Sequence, residues 1–504
     1  MTRVWIIGAL ALSTAAFASE PLTYAEVMRG SIDANPSLQR ALLAADQSES
    51  DLGGATGQYD PNLELGSTWS RSVDRGFFQG FPFDSASTNT DFRTSVSGQV
   101  PTGTSYRVDG GLNRSLSDFT SNFGGFESRQ ITDTYRGNLG VSVTQQLLKG
   151  VRLKFNLQNV TRARQTWETA KLTAERTRQD TLAQAAASYW TWVYQVRLEE
   201  IARMSVAAAE EGLRVGELKV AAGELAPVEG TRLQAALVQA QSAALDADIG
   251  ERTARDALLL QLGREPGESI HPATDAGSVP ELDIDEAKAV EVALSQNLEV
   301  AVSRRTLELA EIEAKNARHG VLPSLAATAS LGTGSQVGRA LDENGDVIDN
   351  ESQSFPQGGA GDALSNLFSD PLPTYSLGGT FTVPLGNRAA RSTRESTELG
   401  VQQRQSELLE LERSIASQVQ QQVRQLESAR RKVELADANQ RLAEQTLGAE
   451  EALAEAGRSI QKDVLEARTE VDRTRAEAAK ARTDYRQAQV EMLRLQGQLT
   501  ERVP

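Results

Sequence analysis

The sequence predicts a mainly α-helical, internally duplicated chain that also carries a short membrane-type β segment. Three observations predict it. The first is a helical seam over 453–497, where Ala467, Val471, Thr474, Ala478, Ala481, Tyr485, Ala488 and Met492 recur at alternating steps of four and three. That is coiled-coil spacing, and its alanines allow partner helices to approach closely. The second is a copy of that stretch upstream. Gly223 and Gly263 stand 234 positions before Gly457 and Gly497. The matching seam reads Leu233, Leu237, Ala240, Ala244, Ala247, Glu251, Ala254 and Leu258, with only Glu251 out of character. Self-similarity at a fixed spacing marks a repeated unit. The third is period-two alternation, as in Leu63, Leu65, Ser67 and Trp69 against Asn62, Glu64, Gly66 and Thr68, the pattern of a strand with one apolar and one polar face.

Composition narrows the chemistry. The 504 residues carry a net charge of −16, no cysteine and two histidines, His271 and His319. A disulfide framework, thiol chemistry and cysteine–histidine zinc sites are excluded. The acidic balance argues against a nucleic-acid partner, which needs a basic face. Residues 1–18 are expected to be an export signal: Arg3, an apolar run over 4–12, and Ala16-Phe17-Ala18 as the cleavage site. No cysteine follows to take a lipid anchor. No later window holds about twenty consecutive apolar residues, so a membrane crossing would have to be made by strands.

In chain order, short helices are expected over 24–58, broken at Asn35-Pro36, because proline ends one helix and starts the next. Strands follow over 61–73, 92–100, 105–116 and 135–147, with polar loops at 74–91 and 117–133 and a tight turn at Pro101-Thr102-Gly103. A helix over 151–222 would be roughly 100 Å long, a length typical of coiled coils and helical tubes. Gly223 breaks it, and a second helix runs to 262. The Gly- and Pro-rich 264–280 reads as a linker. The second copy has short helices over 282–318, a strand over 323–337, a polar loop over 338–373, a strand over 374–385, a long helix over 388–456, and then the opening stretch. The expected parts are thus a signal at 1–18, a first repeat at 19–263 (strands about 61–147, long helices about 151–262), a linker at 264–280 and a second repeat at 281–504 (strands about 323–385, long helices about 388–499). The first repeat has an extra hairpin over 92–116. So few strands leave open edges, which lipid does not tolerate, so either several chains close one barrel or the sheet lies outside the membrane.

This layout resembles the TolC-type outer-membrane efflux and secretion channels over essentially the whole mature chain. The resemblance is carried by the duplication, Asn35-Pro36, the segments Tyr59-Asp60-Pro61-Asn62-Leu63 and Val321-Leu322-Pro323-Ser324-Leu325 before strands, and the two glycine-centred helix turns. It implies a homotrimer in which a few strands per protomer close one β-barrel in the outer membrane. The long helices would form an α-barrel through the periplasm of a Gram-negative-type cell, with the short helices as a belt. Two strands per copy would give the family's twelve, and the extra hairpin departs from this. The implied function is the passive exit duct of a tripartite efflux pump or type I secretion system. Its partners would be a periplasmic adaptor (membrane fusion protein), an inner-membrane pump or export ATPase, and outer-membrane lipid.

The same resemblance places the adaptor-contact turns at Gly223, Leu225 and Val228 and at Gly457, Arg458 and Ile460. It places the acidic constriction at Asp463 and Glu466, with Glu229 in the equivalent place after the first turn. The tyrosine and arginine that latch the family's closed tip find Ala454 and Ser459 at the matching positions. Carboxylates three apart share a helix face. Three chains would ring a narrow opening with six such charges, attracting cations.

Plainer readings stand beside these. Asp463 and Glu466 are also what any solvated helix carries, and the glycines are ordinary helix stops. Tyr189, Trp190, Trp192 and Tyr194 read as packing or belt contacts. Trp69, Phe77, Phe78, Phe81 and Phe83 read as an interfacial girdle or a surface loop. With no nucleophile motif, phosphate-binding glycine loop or HExxH, neither an enzyme nor a cofactor or metal is expected. The alternative function is a periplasmic coiled-coil scaffold or adaptor, which explains the helices and leaves the alternating strands without a role.

Overall fold

The computed structural model describes residues 20–502 apart from 79, 124, 274–284, 343, 345, 349–355 and 457. The expected export signal and Gly457 therefore lie outside the described residues. The first half runs β1 (Glu20–Leu22), α1 (Tyr24–Ala34), α2 (Pro36–Thr56), β2 (Asn62–Phe78), β3 (Phe81–Val100), β4 (Thr104–Phe123), β5 (Phe126–Gln146), α3 (Leu153–Asn156), α4 (Gln158–Ala221) and α5 (Pro227–Gln261). The second half runs β6 (Ile270–Pro272), α6 (Glu286–Gln296), α7 (Leu298–Gly320), β7 (Ser324–Leu341), β8 (Val347–Ile348), α8 (Ala360–Ser369), β9 (Leu372–Thr382), α9 (Arg388–Glu455), α10 (Gln461–Leu495) and α11 (Leu499–Arg502). No described helix is long and apolar enough to cross a membrane.

Two compact units divide the chain, each drawing on both halves: 20–46, 168–306 and 405–502 form one, and 47–167 and 307–404 the other. The first unit is helical. Thr23 opens α1 with a reciprocal cap: its hydroxyl accepts from the Glu26 amide at 3.2 Å, and the Glu26 carboxylate accepts from the Thr23 amide at 2.8 Å. One core packs Val27, Met28, Leu182, Tyr189, Trp192 and Leu258. The aromatic run on α4 is thus core, with Tyr24, Tyr189, Trp190 and Trp192 in edge and stacked contact. A second core packs Ala293, Val300, Ile415, Val419, Val423 and Met492.

The two halves use the same joints. Asn35 Oδ1 accepts from the amides of Ser37 and Leu38 at 2.9 and 3.3 Å. Asn297 Oδ1 accepts from Glu299 and Val300 at the same distances. Each asparagine ends one helix and caps the next, with or without the proline. The ends of α5 and α10 also match: the Arg264 amide reaches Leu259 O at 2.9 Å, and the Gln498 amide reaches Leu493 O at 3.0 Å. Gly263 and Gly497 hold the left-handed conformation that this closure needs, with φ of +66° and +70°.

The second unit is built on a sheet in which β2, β3, β4, β5, β7 and β9 pair in that order, every pair antiparallel, while the two-residue β8 touches only the end of β7. Here the sequence reading needs correction. The expected loops at 74–91 and 117–133 hold strand over 74–78, 81–91, 117–123 and 126–133. The β2–β3 ladder runs unbroken to Phe78↔Phe81 and the β4–β5 ladder to Phe123↔Phe126. Their polar residues misled because ladder hydrogen bonds come from the backbone, whatever the side chain. The expected loop at 338–373 holds β8 and α8, and the expected linker at 264–280 holds β6, which pairs in parallel with β1 as Pro21↔His271.

Candidate channel wall and helix turns

The sheet has two chemically distinct faces, and its register shows how the sequence makes them. One row crosses all six strands as Leu63, Val96, Val108, Val141, Leu331 and Tyr375. The next row, on the opposite face, crosses as Asn62, Ser97, Arg107, Ser142, Ser330 and Ser376. Since successive side chains alternate between faces, one row is wholly apolar and its neighbour wholly polar. All six members of the apolar row are solvent-exposed, from 37% at Val96 to 86% at Tyr375. Six exposed large apolar side chains in one line need a non-aqueous neighbour.

The apolar face has an end. Its last large member on β2 before charge sets in is Trp69. Beyond it the same face carries ion pairs: Arg114 with Asp133 at 2.9 Å, Arg129 with Asp118 at 2.7 Å and Arg75 with Asp84 at 3.6 Å. The change marks where a low-dielectric surrounding would give way to water, since charge on the apolar side is costly there. β9 begins at Leu372, in the row of Gly66 and three rows short of Trp69, and its 11 residues match the roughly 9–11 that a tilted strand needs to cross a bilayer. Of the aromatic residues singled out in the sequence, Trp69 sits at the band margin. Phe77 lies near the hairpin tip, Phe83 stacks on Phe119 at 5.5 Å on the polar-row face, and the side chain of Phe78 lies outside the described residues. Among the described side chains, Phe83 lies on the face opposite Trp69 and Phe77, so these three do not line one girdle.

The amphipathic α8 was not anticipated. It lies on the apolar face at the outer margin of the band. Ala363 and Leu367 are buried there beside Gly137, and the Ser335 hydroxyl donates to the Ala363 carbonyl. A side chain at Gly137 would meet Ala363 O and Leu367. The signal was a ten-residue apolar i, i+4 stripe, Ala363 with Leu367 and Leu364 with Phe368, hidden between a glycine-rich stretch before it and Pro371 and Pro373 after it.

In the helical unit the first turn is a tight helix end. The Glu224 amide reaches Lys219 O at 2.9 Å, and Gly223 has φ of +76°. At the second turn the Arg458 amide reaches Leu453 O at 2.8 Å, the equivalent bond. Val228, the second residue of α5, and Ile460, the N-cap of α10, are both exposed. Arg458 is exposed and Leu225 half-exposed. The Ser459 hydroxyl donates to Glu450 at 2.7 Å, tying the second turn back to α9.

Glu229 and Asp463 occupy the same position, the third residue of α5 and of α10. Their surroundings differ. Glu229 accepts from Arg232 at 2.7 Å. The residue matching Arg232 is Glu466, whose carboxylate lies 3.1 Å from Lys462. The first turn therefore pairs its acid with a base on the same face, whereas the second presents two acids with one lysine beside them.

Sequence reading missed a ladder behind the second turn. Arg468, Arg475 and Arg482 of α10 pair with Glu451, Glu444 and Asp437 of α9 at 2.8, 2.9 and 3.0 Å. Both sets are spaced by seven, so one heptad period holds the antiparallel helices in register. Each partly exposed pair is worth roughly 0.2–1 kcal/mol. Among the described residues no group of three acidic or histidine side chains is placed to hold a metal ion.

Comparisons with known proteins agree with this architecture. Residues 289–498 match the outer membrane efflux protein family. No curated protein sequence matches the chain. Among solved structures, the chain is similar to the CmeC outer membrane channel of Campylobacter jejuni, at 15% identity with a TM-score of 0.63, covering 99% of this chain and 94% of that one. It is similar to the outer membrane protein VceC of Vibrio cholerae, at 13% identity, TM-score 0.63, covering 94% and 96%. It is also similar to the open state of the MtrE outer membrane channel of Neisseria gonorrhoeae, at 15% identity, TM-score 0.63, covering 94% and 89%. At these identities the likeness is one of fold.

Proposed function

We propose that this chain, which matches the outer membrane efflux protein family over residues 289–498 and is similar in fold to solved outer-membrane channels, is the exit duct of a tripartite efflux pump or a type I secretion system. The two-faced sheet carries the reading. Strands with an apolar band on one face and a continuous polar row on the other fit a wall between lipid and a water-filled lumen. A single sheet has two open edges, so three copies close the barrel in the outer membrane. A periplasmic scaffold or adaptor would gain nothing from the apolar band.

The duct is passive, and its energy comes from an inner-membrane pump or export ATPase reached through a periplasmic adaptor. The two repeats, 19–263 and 281–504, supply the two helix turns. Gly223, Leu225 and Val228 and Gly457, Arg458 and Ile460 form the tip that the adaptor meets, their exposed apolar side chains being the contact material. Asp463 and Glu466 are the constriction. With Glu229 offset by Arg232 and the second turn carrying the excess acid, three chains set a negative ring from α10.

The test is electrical. The purified protein inserts into planar bilayers as a cation-preferring channel. Asp463→Asn with Glu466→Gln lowers cation-over-anion selectivity several-fold and relieves divalent-cation block, without loss of insertion. Wild-type selectivity in the double variant would place the narrow point elsewhere, and no channel from the wild type would sink the function.

A further inference from the structure

We propose that the barrel has eighteen strands, six from each of three chains, sealed by pairing β2 of one copy with β9 of the next. This rests on the reading of the chain as a trimeric outer-membrane duct and fixes what that reading leaves open. The layout of two strands per repeat would close twelve.

The six long strands form one path from β2 to β9, and each neighbour pair is laddered over most of its length. The β2–β3 hairpin is not an appendage. Its Leu63 and Val96 continue the apolar row of the inner strands, and its Asn62 and Ser97 continue the polar row. Were the hairpin held outside the wall, Leu65, Trp69 and Phe92 would face water with the rest of its apolar face.

Both ends of the path are prepared for the same partner. β9 is exposed along all 11 residues, and β2 is exposed along nearly all of its length. Unpaired backbone along either would be left unsatisfied in hydrocarbon. Five successive antiparallel pairings leave β2 and β9 running in opposite directions, so the edge of one copy meets that of the next antiparallel, as the neighbours within this sheet already do. Within one copy β9 reaches the row of Gly66. β2 continues through Trp69 at the band margin to Phe78, and beyond Trp69 that excess lies at the level of the ion pairs, where water satisfies its edge.

The consequence is bore. With strands ~4.8 Å apart and tilted ~40°, eighteen give about 36 Å between opposite backbones against about 24 Å for twelve, roughly doubling the cross-section.

The chain has no cysteine, so paired cysteines report the seam cleanly in the full protein in outer membranes. One set combines Gly66→Cys, Thr68→Cys or Ser70→Cys on β2 with Thr374→Cys or Ser376→Cys on β9. A second set combines Asp109→Cys, Gly111→Cys or Asn113→Cys on β4 with the same β9 changes. All of these positions lie on the polar-row face, and the grid covers the unknown stagger at the seam. Under oxidation, at least one β2–β9 combination gives covalent dimers and trimers on a non-reducing gel, and the β4–β9 set stays monomeric. A β4–β9 link overturns the proposal in favour of twelve strands with β2 and β3 outside the wall. A native trimer by mass without any β2–β9 link also overturns it, while leaving the trimeric duct standing. A native monomer overturns both.

Discussion

Glu251 sits where the α5 seam asks for a small or apolar side chain, and the structure gives it a reason. Its carboxylate is buried, accepts from Trp192 Nε1 at 3.0 Å and pairs with Arg255 Nη1 at 3.2 Å. A buried carboxylate is tolerable only when it is hydrogen-bonded and paired, and here it satisfies an indole that the core buries completely. Glu251→Ala leaves both the indole N–H and the guanidinium short of a partner, at a cost of about 1–3 kcal/mol. Glu251→Gln retains an acceptor for the indole and costs less. Thermal melting of the helical circular-dichroism signal in detergent checks the order: wild type highest, then Gln, then Ala. If the alanine variant melted with the wild type, the network would be incidental.

Among the elements, the β3–β4 turn joins sheet to helix. Gly103 has φ of +82°, and a methyl there would run into the carbonyl oxygen of Gly150. Asn156 clamps the same corner, its amide donating to Pro101 O and Gly150 O at 2.8 and 2.7 Å. Gly80, at the β2–β3 tip, has a similar φ of +87° but nothing nearby. Gly80→Ala therefore carries only the left-handed penalty, roughly 1–2 kcal/mol, whereas Gly103→Ala adds a backbone collision and loosens the Asn156 clamp. The yield of assembled protein in the outer-membrane fraction should fall sharply for Gly103→Ala and slightly for Gly80→Ala. Equal yields would mean that the corner is soft. The turn itself was legible as Pro101-Thr102-Gly103. Its clamp was not, because Asn156 is distant in sequence and on another element.

For the whole molecule, the faces of the sheet give the sharpest prediction. Val141 and Ser142 are adjacent in β5, yet they belong to the apolar and polar rows. In the proposed trimeric duct, Val141→Arg puts a charge into the band at about 2–4 kcal/mol per copy near mid-bilayer. Three copies multiply it, and assembly in the membrane fails. Ser142→Arg puts the same charge in the lumen, where the protein assembles and its single-channel current falls. Extraction from membranes and bilayer recording separate the two. Equal assembly of both variants would remove the distinction between wall faces.

The sequence by itself determined the helical seams, the glycine stops, the Asn35-Pro36 joint and the alternation of the strands, because these depend on neighbours within one or two turns or on period-two patterning. It also carried the resemblance, since the order of such local signals survives when identity does not. Only the tertiary structure decided how far the strands run, that α8 lies on the apolar face, and that Arg468, Arg475 and Arg482 lock to α9. The polar reaches of β2 to β5 are strand because the neighbouring backbone completes their hydrogen bonds. The helix and the arginines are placed by partners far away in the chain, and no local pattern encodes such pairing.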